Sequence, residues 1–130
     1  MIVVPIKEES DIVHARAAAK EVARKLGFGL VDQTRISTAV SELARNIYLY
    51  AGEGEVHIEE HPDSHRGIRV TFIDNGPGID DVELALKDGW SSTKAMGKGL
   101  PGAKRLTDHM EINTQPGHGT TVTIEKWLAQ

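Results

Sequence analysis

Three short segments of the chain carry residue types that could bind a nucleotide. Residues 41–46 read Ser-Glu-Leu-Ala-Arg-Asn, in which Glu42 and Asn46 stand one helical turn apart. Residues 74–78 read Asp-Asn-Gly-Pro-Gly after a strand-like run, and residues 97–102 form a glycine-rich loop that leads into a predicted helix. Free backbone N–H groups at the start of a helix suit phosphate. Each segment alone is a weak signal, but their order and spacing together indicate a nucleotide site.

The first segment places a carboxylate beside a carboxamide. It lies in a predicted helix whose apolar stripe is Ile36, Val40, Leu43 and Ile47. If that stripe faces a sheet, Glu42 and Asn46 share a flank and can point into one cleft. An amide oxygen can ligate Mg²⁺, while an acid can orient or deprotonate a nucleophile. The alternative for this segment alone is a solvated glutamate and a surface asparagine.

The second segment places a lone acid at the end of a strand. Asp74 could accept a hydrogen bond from an exocyclic amine, while Gly76 and Gly78 let the backbone approach a flat ring closely. Aspartate, asparagine, glycine and proline are also ordinary turn formers, so a simple strand-ending turn is the alternative.

The third segment is neither a P-loop nor a Rossmann fingerprint. No Gly-Lys-Ser/Thr follows at the required spacing, and no strand precedes the loop. The basic residues around it are Lys94, Lys98, Lys104 and Arg105. These could meet phosphates, although a solvated basic surface is the default for any one of them.

Length and composition limit the class of protein. The 130 residues suit one domain, residues 1–130, and the absence of cysteine excludes disulfides and thiolate chemistry. A net charge of −4 argues against a nucleic-acid partner. No signal peptide or membrane-spanning stretch is seen, so the expectation is a cytoplasmic protein, without membrane contact, that acts on a small anion or a protein partner.

The hydrophobic patterning predicts a two-layer fold. Strands are predicted at residues 2–6, 55–60, 68–73, 111–114 and 120–127. Ser10 or Asp11 is expected to cap a first helix that stops at the glycines 27 and 29, and Asp32 a second that stops at the glycines 52 and 54. A short helix at 80–86, a loop at 88–96 and a helix from Pro101 to about residue 108 complete the pattern. This order predicts an α/β (α+β) two-layer sandwich, with helices on one face of a mixed, mostly antiparallel sheet.

With all three segments considered, the chain resembles the GHKL ATPases, which include gyrase B, the heat-shock ninety chaperones, histidine kinases and MutL. The resemblance runs from about residue 32 to residue 123 and implies their Bergerat ATP-binding fold, with ATP and Mg²⁺ as cofactors. It implies that Asn46 binds Mg²⁺, that Glu42 is the general base, and that Asp74 binds adenine.

The same resemblance implies further nucleotide contacts. These are Gly76 and Gly78 beside the aspartate, Gly97, Lys98, Gly99, Leu100 and Gly102 in the loop under the phosphates, Lys94 in the preceding lid, and Thr120 and Thr121 in a Gly-Thr pair that completes the adenine contacts. Lys98 departs from the family pattern, because small or apolar residues are common there, and it either reaches the phosphates or points away.

Within the family, residues 39–47 and 99–106 most resemble the bacterial anti-sigma and switch kinases. Such kinases transfer the γ-phosphate of ATP to a serine or threonine of a STAS-domain protein. The resemblance therefore implies a serine/threonine kinase that phosphorylates STAS-domain antagonist and scaffold proteins of a stressosome and, once released, activates a PP2C-type phosphatase. The alternatives are an anti-sigma factor kinase, a detached histidine-kinase ATPase domain without its phospho-acceptor helices, and an ATP-sensing adaptor.

Overall fold

The computed structural model describes residues 1–62, 66–76, 99–114 and 117–128. The described strands are β1 (Ile2–Ile6), β2 (Gly54–Glu60), β3 (Gly67–Asp74), β4 (His109–Thr114) and β5 (Thr120–Trp127). The described helices are α1 (Ser10–Leu26), α2 (Leu30–Asn46), which continues into a π-helical segment (Ile47–Ala51), and α3 (Leu100–Leu106). The short helix predicted at 80–86 and the loop at 88–96 lie outside the described residues.

The five described strands form one sheet in the order β1-β2-β3-β5-β4. All four pairings between them are antiparallel. The predicted two-layer fold class is confirmed, but the parallel component expected of a mixed sheet is not found among these strands. The physical reason is that hairpins join β2 to β3 and β4 to β5, and β5 inserts beside β3 with antiparallel register.

The helices cover one face of the sheet, and strand alternation supplies the core between the layers. Val56, Phe72 and Val122 are paired across three neighbouring strands and all three are buried. Helix α1 contacts β1, β2 and β3, and α2 contacts β3. The apolar stripe predicted for α2 is buried, as expected for the side of a helix that lies on a sheet.

Two predicted helix caps are wrong. Helix α2 begins at Leu30 after Gly29, so Asp32 is a residue of its first turn rather than its cap. Helix α1 begins at Ser10 after Glu9. The Asp11 carboxylate instead accepts the N–H groups of Lys7 and Glu8, each at 3.0 Å, and so fixes the turn that precedes α1.

The helix ends follow the glycine pattern more closely. Gly27 ends α1 in the left-handed conformation, at φ 102°. Gly52 ends the π-helical segment and donates its N–H to the carbonyl of Ile47 at 2.9 Å, whereas Gly54 is already part of β2. Helix α3 ends at Leu106, earlier than predicted, because the N–H of Asp108 pairs with the carbonyl of Glu125.

None of the helices in the described part of the chain has the length and apolar character needed to cross a membrane.

A buried hydroxyl on α2 gives a stability prediction. The Ser41 Oγ is buried without a hydrogen-bond partner, whereas the Ser37 hydroxyl, also buried, donates to the carbonyl of Thr34 at 3.0 Å. We expect Ser41→Ala to raise the free energy of unfolding by about 1–3 kcal/mol, because the buried hydroxyl has lost its water without compensation. Urea unfolding of Ser41→Ala, with Ser37→Ala as the matched control, checks this; a larger gain for Ser37→Ala would contradict it.

Candidate nucleotide site

Asp74 is the last residue of β3 and is only 7% exposed. It follows the buried positions Val70 and Phe72 on the helix-covered face of the sheet, so the alternation of β3 turns its carboxyl inward. Its Oδ1 accepts the N–H of Gly76 at 2.8 Å. Burial raises the pKa of the Asp74 carboxyl, while hydrogen bonds from the N–H groups of Gly76 and Thr120 act in the opposite direction.

Three glycines allow the backbone to close around Asp74. Gly54 and Thr120 flank it in the sheet, and a Cβ on Gly54 would overlap the carbonyl of Ile73. A Cβ on Gly76 would stand 2.7 Å from the Cβ of Ala51, and one on Gly119 would overlap the carbonyl of Asp74. The aspartate is therefore held by close backbone contacts from both neighbouring strands and from its own turn.

A narrow cavity lies beside this carboxyl, between α2 and the sheet. Its lining is Leu43, Asn46, Ile47, Phe72, Asp74, Leu100, Thr120 and Val122. Apolar side chains form most of the wall, and the polar groups are one carboxylate, one carboxamide and one hydroxyl. Mostly apolar walls with a few placed polar groups are typical of the lining of small-molecule sites.

The structure places Asn46 in the lining of this cavity, but not Glu42. Asn46 is 8% exposed and lines the cavity, whereas the Glu42 side chain is 39% exposed and is not among the lining residues. Glu42 lies 3.6 Å from the Arg45 guanidinium, measured between Oε1 and Nη1. The carboxylate is therefore paired with Arg45 and partly exposed to solvent.

The start of α3 packs directly against Glu42. A Cβ on Gly99, which has φ +86°, would stand 2.9 Å from the Glu42 Oε2. Leu100 is buried and lines the cavity, while a Cβ on Gly102 would meet no atom of the described residues within 4 Å. The positive φ of Gly99 favours glycine there, whereas the Glu42 carboxylate, at the end of a flexible side chain, could shift to make room.

The two threonines of the Gly-Thr segment face opposite sides of the sheet. Thr120 is buried, lines the cavity and pairs with Asp74, and its hydroxyl lies 3.0 Å from that of Thr114. Thr121 pairs with Ile73 and does not line this cavity. Because neighbouring strand residues point to opposite faces, the Thr121 side chain lies on the face that the helices leave uncovered.

Four predicted contacts lie outside the described residues: Gly78, Lys94, Gly97 and Lys98. The apolar wall, in turn, was not predicted as part of the site. Leu43, Ile47, Phe72 and Val122 form it. The sequence held a signal for them, because Phe72 precedes Asp74 by two residues and Val122 follows Thr120 by two, which places each pair on one face of a strand.

Gly119 offers a test of the close contacts around Asp74. We expect Gly119→Ala to lower the free energy of unfolding by more than the roughly 1–2 kcal/mol that a left-handed conformation costs an alanine, because the new methyl group also overlaps the Asp74 carbonyl. Gly117→Ala is the matched control, since Gly117 has a similar φ of 80° and open space around it. Equal losses in urea unfolding would contradict the packing role of Gly119.

A family model for histidine kinase-, DNA gyrase B- and HSP90-like ATPases matches residues 31–130. The chain belongs to this GHKL family. The match spans α2 with Glu42 and Asn46, the β3 end with Asp74, and the β5 start with Thr120, which are the elements that enclose the cavity.

Related proteins from bacteria extend this result. The chain is 50% identical over 126 residues to the serine/threonine-protein kinase RsbT of Bacillus subtilis, covering 96% of this chain and 95% of that protein. It is 28% identical over 119 residues to the anti-sigma F factor of Thermoanaerobacter sp. strain X514, covering 88% and 83% of the two chains.

Solved structures with low sequence identity share the GHKL fold. The catalytic domain of the histidine kinase ThkA superimposes with a TM-score of 0.60 at 17% identity, over 98% of this chain and 96% of that one. The mycobacterial sensor histidine kinase MprB gives a TM-score of 0.59 at 17% identity, over 98% and 100% of the two chains.

Proposed function

We propose that this chain is a serine/threonine protein kinase that uses Mg-ATP to phosphorylate STAS-domain antagonist and scaffold proteins (RsbS/RsbR-like) and that, when released, activates a PP2C-type phosphatase (RsbU-like). The observation that carries the proposal is the position of Glu42. Glu42 lies one helical turn from Asn46, which lines the Asp74 cavity, and its side chain is partly exposed to solvent. The 50% identity to RsbT supports the choice of partners.

Different cavity residues would bind the adenine and the Mg²⁺ of Mg-ATP. The buried Asp74 carboxylate would accept the exocyclic amine of adenine, and the apolar wall would cover the faces of the ring. The Asn46 carboxamide oxygen, a ligand type that Mg²⁺ accepts, would hold the ion near the phosphates. Bound Mg²⁺ would neutralise charge on the phosphates, which is its usual part in phosphoryl transfer.

The phosphate end of the site is assigned to the loop before α3. Gly97, Lys98, Gly99, Leu100 and Gly102 would surround the phosphates, with Lys94 in the lid above them. The described part of this loop supports the assignment, because the N–H of Ala103 already bonds the Gly99 carbonyl, and the N–H groups that precede it have no partner further back in the helix. The open space at Gly102 leaves room for an anion.

Glu42 would act as the general base for the serine or threonine hydroxyl of the partner protein. The serine or threonine oxygen attacks the γ-phosphorus of ATP, the bond from that phosphorus to the bridging oxygen of ADP breaks, and the hydroxyl proton passes to the Glu42 carboxylate. The partial exposure of Glu42 supports this role, since a hydroxyl carried by another protein has to reach it.

A second candidate is an anti-sigma factor kinase, which sequesters a sigma factor and phosphorylates its antagonist. The 28% identity to an anti-sigma F factor favours it, although this identity is well below that to RsbT. The nucleotide residues would be the same in both. Stable capture of a sigma factor, rather than activation of a PP2C-type phosphatase, would identify this second function.

The decisive experiment combines the purified chain, γ-labelled ATP and purified STAS-domain proteins, with mass-spectrometric mapping of the modified residue. We expect phosphoserine or phosphothreonine on the STAS protein only when Mg²⁺ is present. Acid-labile phosphohistidine on a partner would support a histidine-kinase module instead. Nucleotide binding without transfer to any STAS protein would refute the kinase and indicate an ATP-sensing adaptor.

A further inference from the structure

One face of α2 and the following π-helical segment is exposed along most of its length in the described structure, with Gly99 packed against Glu42 near its middle. The residues of this face are spaced alternately four and three positions apart in the sequence, which keeps their side chains on one side of a helix. They are Val31, Arg35, Thr38, Glu42, Arg45 and Leu49, and all are exposed except Glu42, which is partly exposed. We call this set the α2 face. From Val31 to Leu49 it runs for about 27 Å at the rise of an α-helix.

The other sides of α2 are occupied. Ile36, Ala39, Val40 and Leu43 are buried in the core, and both α1 and α3 pack against α2. The α2 face is therefore the side of this helix from which another protein can approach Glu42. Since Glu42 lies in the middle of the face, contacts on both sides of it can fix the position of an incoming hydroxyl.

The chemistry of the α2 face indicates what fits it. Val31 and Leu49, near its two ends, are apolar and are 64% and 54% exposed, and Leu30 beside Val31 is 71% exposed. Arg35 and Arg45 stand between these ends and the glutamate. Their carboxylate partners, Asp32 at 3.1 Å and Glu42 at 3.6 Å, lie on the same exposed helix, so these ion pairs are weak and exchange readily for a carboxylate from outside.

We propose that the α2 face is the docking surface for the protein substrate, and that this substrate presents its serine or threonine hydroxyl between acidic side chains, with apolar side chains further out. The acidic groups would meet Arg35 and Arg45, and the apolar groups would meet Val31 and Leu49. This inference rests on the proposed kinase function and adds the surface that selects the substrate. Burial of Val31 and Leu49 against apolar groups adds affinity, while the arginines set orientation and salt dependence.

The test compares Val31→Glu and Leu49→Glu with the matched control Val3→Glu. Val3 is 46% exposed, and because Val4 and Ile6 turn toward the helices, Val3 points to the opposite face of the sheet. The probe is a purified RsbS-type STAS-domain protein with labelled ATP. We expect each α2-face variant to raise the KM for the STAS protein on the order of tenfold, with kcat and ATP affinity close to those of the unmodified chain.

Unchanged KM values in both α2-face variants, or an equal rise in Val3→Glu, would overturn the proposal. Loss of PP2C-type phosphatase activation with normal phosphorylation would also overturn it, by assigning the face to the other partner. If Leu49→Glu alters ATP affinity through the neighbouring cavity, Val31→Glu, at the far end of α2, decides the result. Failure of the proposed kinase function can be told apart from failure of the docking proposal, because the unmodified chain would then transfer no phosphate. That result would also remove the docking proposal, which rests on the kinase function.

Discussion

Glu42→Ala is expected to lower the rate of phosphoryl transfer to a STAS-domain hydroxyl by about 10²–10⁴-fold, the usual contribution of a positioned general base. ATP affinity should change little, because the Glu42 side chain does not line the nucleotide cavity. Glu42→Gln is the sharper variant, since it keeps the volume against which Gly99 packs and removes only the basic oxygen. Single-turnover transfer and equilibrium ATP binding, measured on the same samples, separate the two effects.

The chain offers a close control for this experiment. Glu21 on α1 pairs with Arg24 three residues later, just as Glu42 pairs with Arg45, and it is likewise exposed. Glu21→Gln therefore removes a carboxylate from an equivalent helix-surface ion pair, and we expect normal transfer. A Glu42→Gln chain that transfers phosphate at the rate of Glu21→Gln would end the assignment of Glu42 as the base.

The second large effect is expected from Asp74→Asn. An amide presents a donor where adenine requires an acceptor, and a hydrogen bond to a charged group contributes about 1.5–3 kcal/mol, so ATP affinity should fall on the order of 100-fold. Asp108→Asn, at the opposite end of the sheet, is the control and should bind ATP normally. Titration with a fluorescent ATP analogue measures both variants. Normal ATP binding by Asp74→Asn would refute the adenine contact.

The pH dependence of Asp74 has opposite signs for stability and for binding. Burial raises its pKa, so the neutral acid is favoured in the folded state, and this contribution to stability is lost as pH rises through the raised value. Adenine binding needs the ionised acceptor, so ATP affinity should decline as pH falls through that same value. At neutral pH we therefore expect Asp74→Asn to resist urea better than the unmodified chain while binding ATP less well.

The alternation and spacing of residues close in the sequence correctly predicted individual strands and the helix face that carries Glu42 and Asn46. Alternation along residues 68–73 and 120–127 predicted β3 and β5, and the four-residue spacing of Glu42 and Asn46 placed both on one flank of α2. The π-helical segment could not be predicted. Its wide turn brings Ala51 against Gly76 and Ile47 against Gly54, and these contacts join the segment to the turn after β3 and to β2.

The burial of each site residue, and whether it lines the cavity, could also not be predicted from the sequence. Glu42 and Asn46 are predicted on the same flank of α2, so the sequence does not distinguish them. In the structure only Asn46 lines the cavity, and the start of α3 packs against Glu42. Thr120 and Thr121 were assigned together, but strand alternation separates them by the thickness of the sheet. Tertiary packing decides such differences, and identical spacing in the chain can lead to either outcome.

Because β5 lies between β3 and β4 in the sheet, residues from late in the chain complete the surroundings of Asp74. Asp74 lies on β3, but its neighbours Gly119 and Thr120 come from β5, which inserts between β3 and β4. During synthesis the cavity wall is therefore incomplete until almost all of the described chain has emerged. Because a ligand stabilises only the state that it binds, we expect ATP bound at the proposed site to favour chains whose β5 has already joined the sheet over partly folded intermediates. The proposed site therefore predicts that ATP stabilises the completed sheet and not its precursors.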